Sequence, residues 1–288
     1  MDWTSRRARF REILAGKQCM YPASVFDPIS GRIAQDLGFE TGIFAGSVAS
    51  LTVMGAPDLI VLTLTEFAEQ ALRINRGCDL PLLVDADHGY GNALNVMRTV
   101  QELETAGVCA LSIEDTLLPN AFASGGKARL ISVEEGVGKM RAAVRARRDS
   151  ALVIAGRTSA PGITGTDDAI ARAHAYEAAG VDVLFFVGIK SREQLDAIAS
   201  AVTIPIILGG VGSDLQDRTY LAERGVRICL QGHQPFMAGV QAVHDTLKAL
   251  RDGTPPAALA GLPTARFMKQ VTREEDYMRW TQEYLGGH

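Results

Sequence analysis

Two aspartates at the end of an apolar run are the residues of this sequence best placed to do chemistry. Asp85 and Asp87 lie in the segment LLVDADHGYGN (82–92), whose apolar start predicts a strand buried on both faces. Side chains two positions apart on a strand point the same way, so both carboxylates are predicted to project from its C-terminal end. Neighbouring carboxylates repel unless one is protonated or a cation lies between them, and a hard divalent ion meets that need. A pair that only caps the next helix is the alternative at this point.

The elements that must position these residues alternate between short β-rich apolar runs and helical segments. Eight such pairs in a chain of 288 residues favour α/β architecture of the (β/α)8 TIM-barrel type. A doubly wound open sheet is disfavoured, because Asp27-Pro28 stands where a glycine-rich phosphate loop would follow the first strand. The predicted strands are 20–26, 41–45, 81–86, 109–113, 152–155, 181–186, 204–208 and 226–230. The predicted helices are 28–37, 65–76, 93–106, 133–148, 166–179, 191–199, 214–223 and 235–251.

A barrel of this type carries its functional groups at the C-terminal ends of the strands. Polar residues used only for solubility would be spread over the helices as well. In this sequence they follow six of the eight predicted strands, which predicts a single site at that end of the barrel. These residues are Asp27, Gly46-Ser47, Asp85 with Asp87, Glu114-Asp115, Arg157 and His233.

Asp85, Asp87 and Glu114 form the predicted metal site. Mg²⁺ is the expected ion, with Mn²⁺ as the alternative, because Mg²⁺ typically takes one or two carboxylates and keeps waters that an oxygen-rich substrate can replace. An ion pair between Glu114 and a barrel arginine is the competing interpretation. It is disfavoured because Ala110 and Ser112 on the same face are small and leave interior room. The sequence contains no His/Cys cluster typical of zinc sites.

Three further residues are candidates for binding the substrate and for catalysis. Arg157, at the end of the fifth strand, is suited to clamp a carboxylate, although pairing with Glu114 or Asp115 is an alternative. Ser47 and the backbone N–H groups near it are suited to hold a carboxylate or oxyanion, unless the serine only caps a helix. His233 follows the eighth strand, where a neutral histidine hydrogen-bonded at a helix start is the alternative.

Composition narrows the partners. The formal net charge is −4, which argues against nucleic acid or an anionic membrane surface as partner. No apolar run approaches the roughly 18 residues of a membrane span, and the first residues do not resemble a secretory signal. The cysteines are far apart in sequence, so free thiols in a reducing compartment are expected, and the expected location is the cytoplasm. They are Cys19, Cys78, Cys109 and Cys229.

The last part of the chain is expected to lie outside the barrel. We assign 1–251 to the barrel and 252–288 to a Pro/Ala-rich linker followed by a helical extension that breaks near Thr272. The apolar residues of this extension must pack on its own barrel or on another subunit, and we favour the subunit contact. They are Phe267, Val271, Met278, Trp280 and Tyr284.

Several motifs together resemble the isocitrate lyase/phosphoenolpyruvate mutase superfamily. These are DADHGYGN, GAPD ending at Asp58, IED ending at Asp115 and GRT around Arg157. The resemblance runs along nearly the whole chain and implies an α/β barrel with bound magnesium that acts on α-keto or α-hydroxy dicarboxylates through an enolate-type state. It also implies a homotetramer whose subunits exchange C-terminal helices.

The departures from that superfamily indicate which branch the chain is similar to. The carbon–carbon lyases carry a catalytic cysteine in a loop, whereas the corresponding loop here, TLLPNAFASGGKARL, has none and places Asn120 where their lysine stands. Val187 occupies the position of their strand-six glutamate. SVFDP, AGSVAS, VEEGVGK and QGH are instead similar to the oxaloacetate decarboxylase branch. That likeness implies that Ser47, Arg157 and His233 contact substrate and that Asp85 serves the metal.

Together with the candidate residues, this resemblance implies Mg²⁺-dependent decarboxylation of oxaloacetate, a keto-dicarboxylate, to pyruvate and CO2 through a metal-stabilised enolate. The alternative is a carbon–carbon lyase acting on a methylisocitrate- or dimethylmalate-like 2-hydroxy acid. A barrel that binds a dicarboxylate without turning it over is a third hypothesis.

Overall fold

Eight parallel strands form the centre of the molecule, as the alternating pattern predicts. The computed structural model describes residues 3–120, 122 and 125–286. The strands are hydrogen-bonded in chain order, and the barrel closes where Met20, just before the first strand, bridges to Ile228 of the last. The strands are β1 (Ala23–Ser24), β2 (Gly42–Ala45), β3 (Leu82–Asp85), β4 (Ala110–Glu114), β5 (Val153–Thr158), β6 (Val183–Phe186), β7 (Ile206–Leu208) and β8 (Val226–Cys229).

The helices surround this sheet, and several begin at residues whose side chains cap them. The Asn92 side chain accepts hydrogen bonds from the backbone N–H groups of Leu94 and Asn95, which satisfies donors that the first turn leaves free. The helices are α1 (Trp3–Ala15), α2 (Pro28–Asp36), α3 (Gly46–Ala49), α4 (Leu64–Gly77), α5 (Ala93–Thr105), α6 (Val133–Ala146), α7 (Ala160–Ile163), α8 (Thr166–Ala179), α9 (Arg192–Ala201), α10 (Arg218–Glu223), α11 (Gln234–Arg251), α12 (Ala265–Thr272) and α13 (Glu274–Leu285).

The structure departs from the predicted elements in several places, among them α3 and α7, which the sequence pattern did not predict, and β1, which covers two residues where 20–26 was predicted. Helix α1, which the sequence pattern did not predict, packs its Phe10 and Leu14 against residues inside the barrel such as Leu83. The predicted helix 214–223 is instead a short 3₁₀ turn, Ser213–Leu215, followed by α10, which Asp217 caps. Strand β5 is longer than predicted and includes Arg157.

Two hydrophobic layers fill the fold. One lies inside the barrel and includes Ile43, Leu83 and Val153, and the other lies between the sheet and the helices and includes Phe44, Val84 and Leu111. Adjacent strand residues alternate between the two layers, which is why the strands read as continuous apolar runs. The four cysteines are free, as expected.

The chain after α11 forms two short helices separated at Arg273, which has a left-handed backbone with φ of 59°. Helix α12 packs on α2 of the same barrel. Val271 is buried there, and Arg273 forms an ion pair with Asp36, with Nη2 and Oδ1 2.6 Å apart. Helix α13 buries none of its residues within the chain. In the part of the chain that the structure describes, no helix combines the length and apolar character needed to cross a membrane.

Candidate active site

A cavity of about 460 Å³ opens at the C-terminal ends of the strands. This is the end at which a barrel carries its functional residues. All six predicted site residues line it, although they come from separate parts of the chain. They are Ser47, Asp85, Asp87, Glu114, Arg157 and His233.

Arg157 connects two of the predicted metal ligands. Its Nη1 forms a short ion pair with Oδ2 of Asp85, and its Nη2 lies 3.6 Å from Oε2 of Glu114. Ser112 donates to the other Asp85 oxygen at 2.7 Å, and Thr116 donates to Glu114 Oε2 at 2.6 Å. The pairing of Arg157 with Glu114, which the sequence offered as an alternative, is therefore present, and Asp85 is the closer partner.

Asp87 reaches the cavity from a loop and not from the strand. Strand β3 ends at Asp85, and Asp87 has a left-handed backbone with φ of 49°, so its orientation does not follow from the alternation of side chains along a strand. The backbone N–H of Glu114 donates to the Asp87 carbonyl at 2.8 Å and fixes this turn. A Cβ on Gly46, the first residue of α3, would lie 2.4 Å from Asp87 Oδ2, so a larger residue at this position would displace the carboxylate.

Negative charge dominates this side of the cavity. Four carboxylates line it, from Asp58, Asp85, Asp87 and Glu114, together with one guanidinium, from Arg157. Burial, and then the charges of Asp85 and Glu114, raise the pKa of Asp87 well above its usual value. Burial alone would lower the pKa of Arg157, but the Asp85 and Glu114 carboxylates more than offset it and raise that pKa.

These residues fit a hard divalent cation. No hydrogen bond of the described chain reaches the Asp87 carboxylate, so its oxygens are free to bind an ion. Across residues 3–120, 122 and 125–286, no three Asp, Glu, His or Cys side chains stand ready to hold one ion together. Arg157 occupies Asp85 and Glu114 in this arrangement. A magnesium ion that takes one or two carboxylates and several waters does not need a three-residue cage.

The opposite side of the cavity carries neutral hydrogen-bonding groups. His233 begins α11, and its ring lies between two serines: Nδ1 is 2.8 Å from Ser24 Oγ, and Nε2 is 3.3 Å from Ser47 Oγ. The ring makes no capping bond to the helix backbone. Burial lowers the pKa of His233, which the Asp85 and Asp58 charges only partly offset, so the ring is neutral at pH 7.

Two of the polar residues predicted at strand ends do not belong to the site. Asp27 caps α2, where its Oδ1 accepts from the Ser30 N–H at 2.7 Å. Asp115 turns to the helix side and accepts from Tyr176 Oη at 2.7 Å and from Arg172 Nη1 at 3.0 Å. Both therefore stabilise the fold.

Other residues of the site were not predicted as such from the sequence. Asp58, the last residue of the GAPD motif, lines the cavity from the loop before α4. Phe185 lines it from β6, with its ring centroid 5.4 Å from Cζ of Arg157. An apolar residue in a strand gives no sequence signal of such a contact. Ser24 lies inside the predicted strand 20–26, and no residue near it in sequence indicates a contact with His233.

Comparisons with known proteins agree with this architecture. The sequence profile described as phosphoenolpyruvate phosphomutase matches residues 10–251. A protein named oxaloacetate decarboxylase from Bradyrhizobium diazoefficiens is 59% identical over 286 residues, covering 99% of each chain.

Two solved structures share the whole fold. Phosphonopyruvate hydrolase, in a complex with oxalate and Mg²⁺, superposes with a TM-score of 0.86 at 26% identity, over 97% of this chain and 99% of that one. Oxaloacetate acetylhydrolase, in a complex with 3,3-difluorooxalacetate, superposes with a TM-score of 0.86 at 27% identity, over 99% of this chain and 98% of that one. The match over most of the barrel and the full-length likeness lead to one conclusion: the chain belongs to the phosphoenolpyruvate phosphomutase family.

Proposed function

We propose that this protein decarboxylates oxaloacetate to pyruvate and CO2 with the help of a divalent cation, Mg²⁺ or Mn²⁺. The observation that carries the proposal is the convergence of Asp85, Asp87, Glu114 and Arg157 on one cavity at the mouth of the barrel. Its volume of about 460 Å³ accommodates a four-carbon diacid. Relatives with 56–59% identity over 99% of the chain carry the name oxaloacetate decarboxylase, which supports the same reaction.

Asp85, Asp87 and Glu114 are the proposed ligands of the cation. Asp87 is the residue whose carboxylate is available without rearrangement, and Asp85 and Glu114 become available when Arg157 turns toward a substrate carboxylate. When bound, the cation supplies a positive charge that stabilises the electrons released onto the keto oxygen of the substrate.

The reaction itself needs no general base. The bond between the β-carbon and the departing carboxylate breaks, and its electron pair moves toward the keto oxygen. CO2 leaves, and the β-carbon then takes up a proton. The protein has to hold the remaining carboxylate, so that the scissile bond is correctly aligned, and to stabilise the negative charge that develops.

Arg157 is the proposed carboxylate clamp. Its guanidinium is charged and buried, and its Nε–H has no hydrogen-bond partner in the part of the chain that the structure describes. A buried donor without a partner is costly, and a carboxylate oxygen of the substrate satisfies it. The Phe185 ring lies beside the guanidinium, with its centroid 5.4 Å from Cζ, and its face attracts the positive charge.

Ser47 and His233 are proposed to contact the substrate from the neutral side of the cavity. Their side chains are 3.3 Å apart and both line the cavity. As a neutral group at pH 7, His233 holds a substrate oxygen through a hydrogen bond without adding a second positive charge beside Arg157. Either orientation of the substrate or protonation of the β-carbon is compatible with this position.

The proposal is tested with purified protein, oxaloacetate and Mg²⁺, before and after chelation. We expect pyruvate formation well above the rate with metal alone, and its loss on chelation and recovery on adding Mg²⁺. Pyruvate formation no faster than with Mg²⁺ alone would contradict the proposal. Incubation with methylisocitrate and 2,3-dimethylmalate tests the carbon–carbon lyase alternative, which the absence of cysteine from residues 116–130 disfavours.

We further propose that α11 and α13 form contacts between subunits of a homotetramer, whereas α12, with Val271, packs on its own barrel. Helix α11 buries none of its residues within the chain and exposes Met237, Val240, Val243 and Leu247 along one face. Helix α13 likewise exposes Trp280 and Tyr284. The four free thiols support a reducing compartment, so the cytoplasm is the proposed location.

Sedimentation of the purified protein tests this assembly. We expect Val243→Glu to yield smaller species, because a charge buried in an apolar interface is costly. Gln241→Glu, which adds the same charge away from the apolar face, is the matched control and should leave the mass unchanged. A wild-type protein that sediments as a monomer would contradict the proposed tetramer.

A further inference from the structure

Ser24 lies next to the proposed site without lining it. It is one of the two residues of β1, it is 7% exposed, and its Oγ lies 2.8 Å from Nδ1 of His233, a residue 209 positions away in sequence. Ser24 borders a separate groove together with Gln231 and Gln234, and not the cavity itself. Its hydroxyl meets Nδ1, whereas Nε2 lies beside Ser47, which lines the cavity.

The two nitrogens of His233 face different surroundings. Nε2 lies beside Ser47, which lines the cavity, and Nδ1 lies beside Ser24, which does not. A neutral imidazole carries a proton on only one nitrogen, and the other nitrogen then accepts a hydrogen bond. The partner of Nδ1 therefore influences what Nε2 offers to the cavity.

The charges in the cavity favour one of the two tautomers. Four carboxyl groups and one guanidinium line it, and even with Asp87 protonated three carboxylates outnumber the guanidinium, so an N–H group directed at the cavity is favoured over a lone pair. This places the proton on Nε2. Nδ1 is then an acceptor, and the hydroxyl of Ser24 is its donor.

We propose that Ser24 is a positioning residue that donates a hydrogen bond to Nδ1 of His233 and thereby holds the ring as the Nε2–H tautomer, with this N–H directed at Ser47 and the cavity. Its effect on the rate rests on the proposed decarboxylase function, whereas the tautomer itself does not. Ser24 acts only through His233.

The tautomer is measured by ¹⁵N solid-state NMR of the full-length protein labelled at histidine. The chain has only five histidines, and the signal of His233 is the one missing in His233→Gln. At a pH of about 8, well above the usual imidazole pKa, we expect a protonated Nε2 and an unprotonated Nδ1 that accepts a hydrogen bond. In Ser24→Ala we expect both tautomers to be populated. A wild-type ring protonated on Nδ1, or a tautomer unchanged in Ser24→Ala, would overturn the proposal.

Kinetics provide the second readout. We expect Ser24→Ala to lower kcat/KM about three- to tenfold, the effect of one hydrogen bond of ordinary strength. Ser24→Thr keeps the hydroxyl, so it should restore both the tautomer and most of the rate. Ser50→Ala removes another buried serine hydroxyl, outside the Ser24–His233–Ser47 chain, and should leave both readouts unchanged.

The outcomes separate the two proposals. If the protein shows the expected tautomers but does not decarboxylate oxaloacetate, the proposed function is wrong and the role assigned to Ser24 stands. If the protein is active but correctly folded Ser24→Thr, checked by circular dichroism, behaves like Ser24→Ala, the role assigned to Ser24 is wrong and the proposed function stands.

Discussion

The two sides of the cavity solve different physical problems. On the side of β3 to β5, Asp85, Asp87, Glu114 and Arg157 carry charge in a buried setting, and each charge needs an opposite charge close by. On the side of β8 and β2, Ser47 and His233 line the cavity without charge at pH 7, and hydrogen bonds of 2.8 and 3.3 Å join His233 to Ser24 outside the cavity and to Ser47. The charged side is suited to bind a cation and an anion, and the neutral side to orient what they hold.

If the charged side binds substrate through the fork of Arg157, replacing it with lysine should cause the largest loss. Arg157→Lys keeps the positive charge but cannot form two parallel hydrogen bonds to a carboxylate, so kcat/KM should fall about 100- to 1,000-fold. Steady-state kinetics with oxaloacetate measure this. Arg227→Lys, at the other end of a strand where Arg227 bonds to the Ala222 carbonyl, is the control and should retain full activity. Equal activity of the two variants would show that Arg157 does not bind the substrate carboxylate.

Binding of the cation should depend on Asp87, whose carboxylate has no hydrogen-bond partner in the part of the chain that the structure describes. Asp87→Asn should weaken Mn²⁺ binding about 100-fold, because a neutral amide replaces a charged ligand. Paramagnetic relaxation or calorimetry measures this binding without any turnover. Asp27→Asn is the matched control: it changes an aspartate that caps α2, so it should cost at most about 1 kcal/mol of folding free energy and leave Mn²⁺ affinity intact. Equal Mn²⁺ affinities of the Asp87→Asn and Asp27→Asn variants would mean that the cation binds outside this cavity.

Changes on the neutral side should be milder. His233→Gln keeps a hydrogen-bonding group but loses the ring, so we expect kcat to fall about 10- to 100-fold with Mn²⁺ affinity unchanged. His174→Gln on α8, where the exposed ring bonds to the Ala201 carbonyl far from the cavity lining, should have no effect on either quantity. Loss of Mn²⁺ binding in His233→Gln would mean that the two sides do not act separately.

The smallest expected effect is an electrostatic influence of the charged side, through Asp58, on the pKa of His233. The Asp58 carboxylate raises the pKa of His233, because its negative charge stabilises the imidazolium, against the larger lowering by burial. Asp58→Asn should therefore lower the pKa of His233 further, so that the ring takes up its proton at a lower pH. An NMR titration of His233 measures this, with Asp245→Asn beside the exposed His244 as the control. A pKa that rises or stays the same would show that Asp58 does not influence the ring.

The sequence was sufficient to predict the barrel fold. Strands buried on both faces read as short apolar runs, and each of the eight observed strands overlaps a predicted one. Helix α1 was not predicted because its arginines interrupt the apolar pattern of the face that covers the barrel interior. Arg6 and Arg7 are buried on this helix, whereas arginines in a sequence normally indicate an exposed face.

For the cavity, the residues at strand ends were predictable but their contacts were not. Asp85, Glu114 and Arg157 lie at the C-terminal ends of their strands, where side chains of a parallel barrel converge independently of loop conformation. Asp27 satisfied the same rule and caps a helix instead, because Ser30 lies three residues further on and completes a capping box. Position at a strand end therefore selects candidates, and local hydrogen bonding decides which of them face the cavity.

By itself, the sequence determined the alternation of strands and helices and the chemical types at the mouth, because side-chain periodicity and burial are local properties of the chain. Only the tertiary structure decided that Arg157 pairs with Asp85 and that Ser24 meets His233. Those contacts depend on how the barrel closes between its first and last strands, and distances of that kind follow from the packing of the whole sheet.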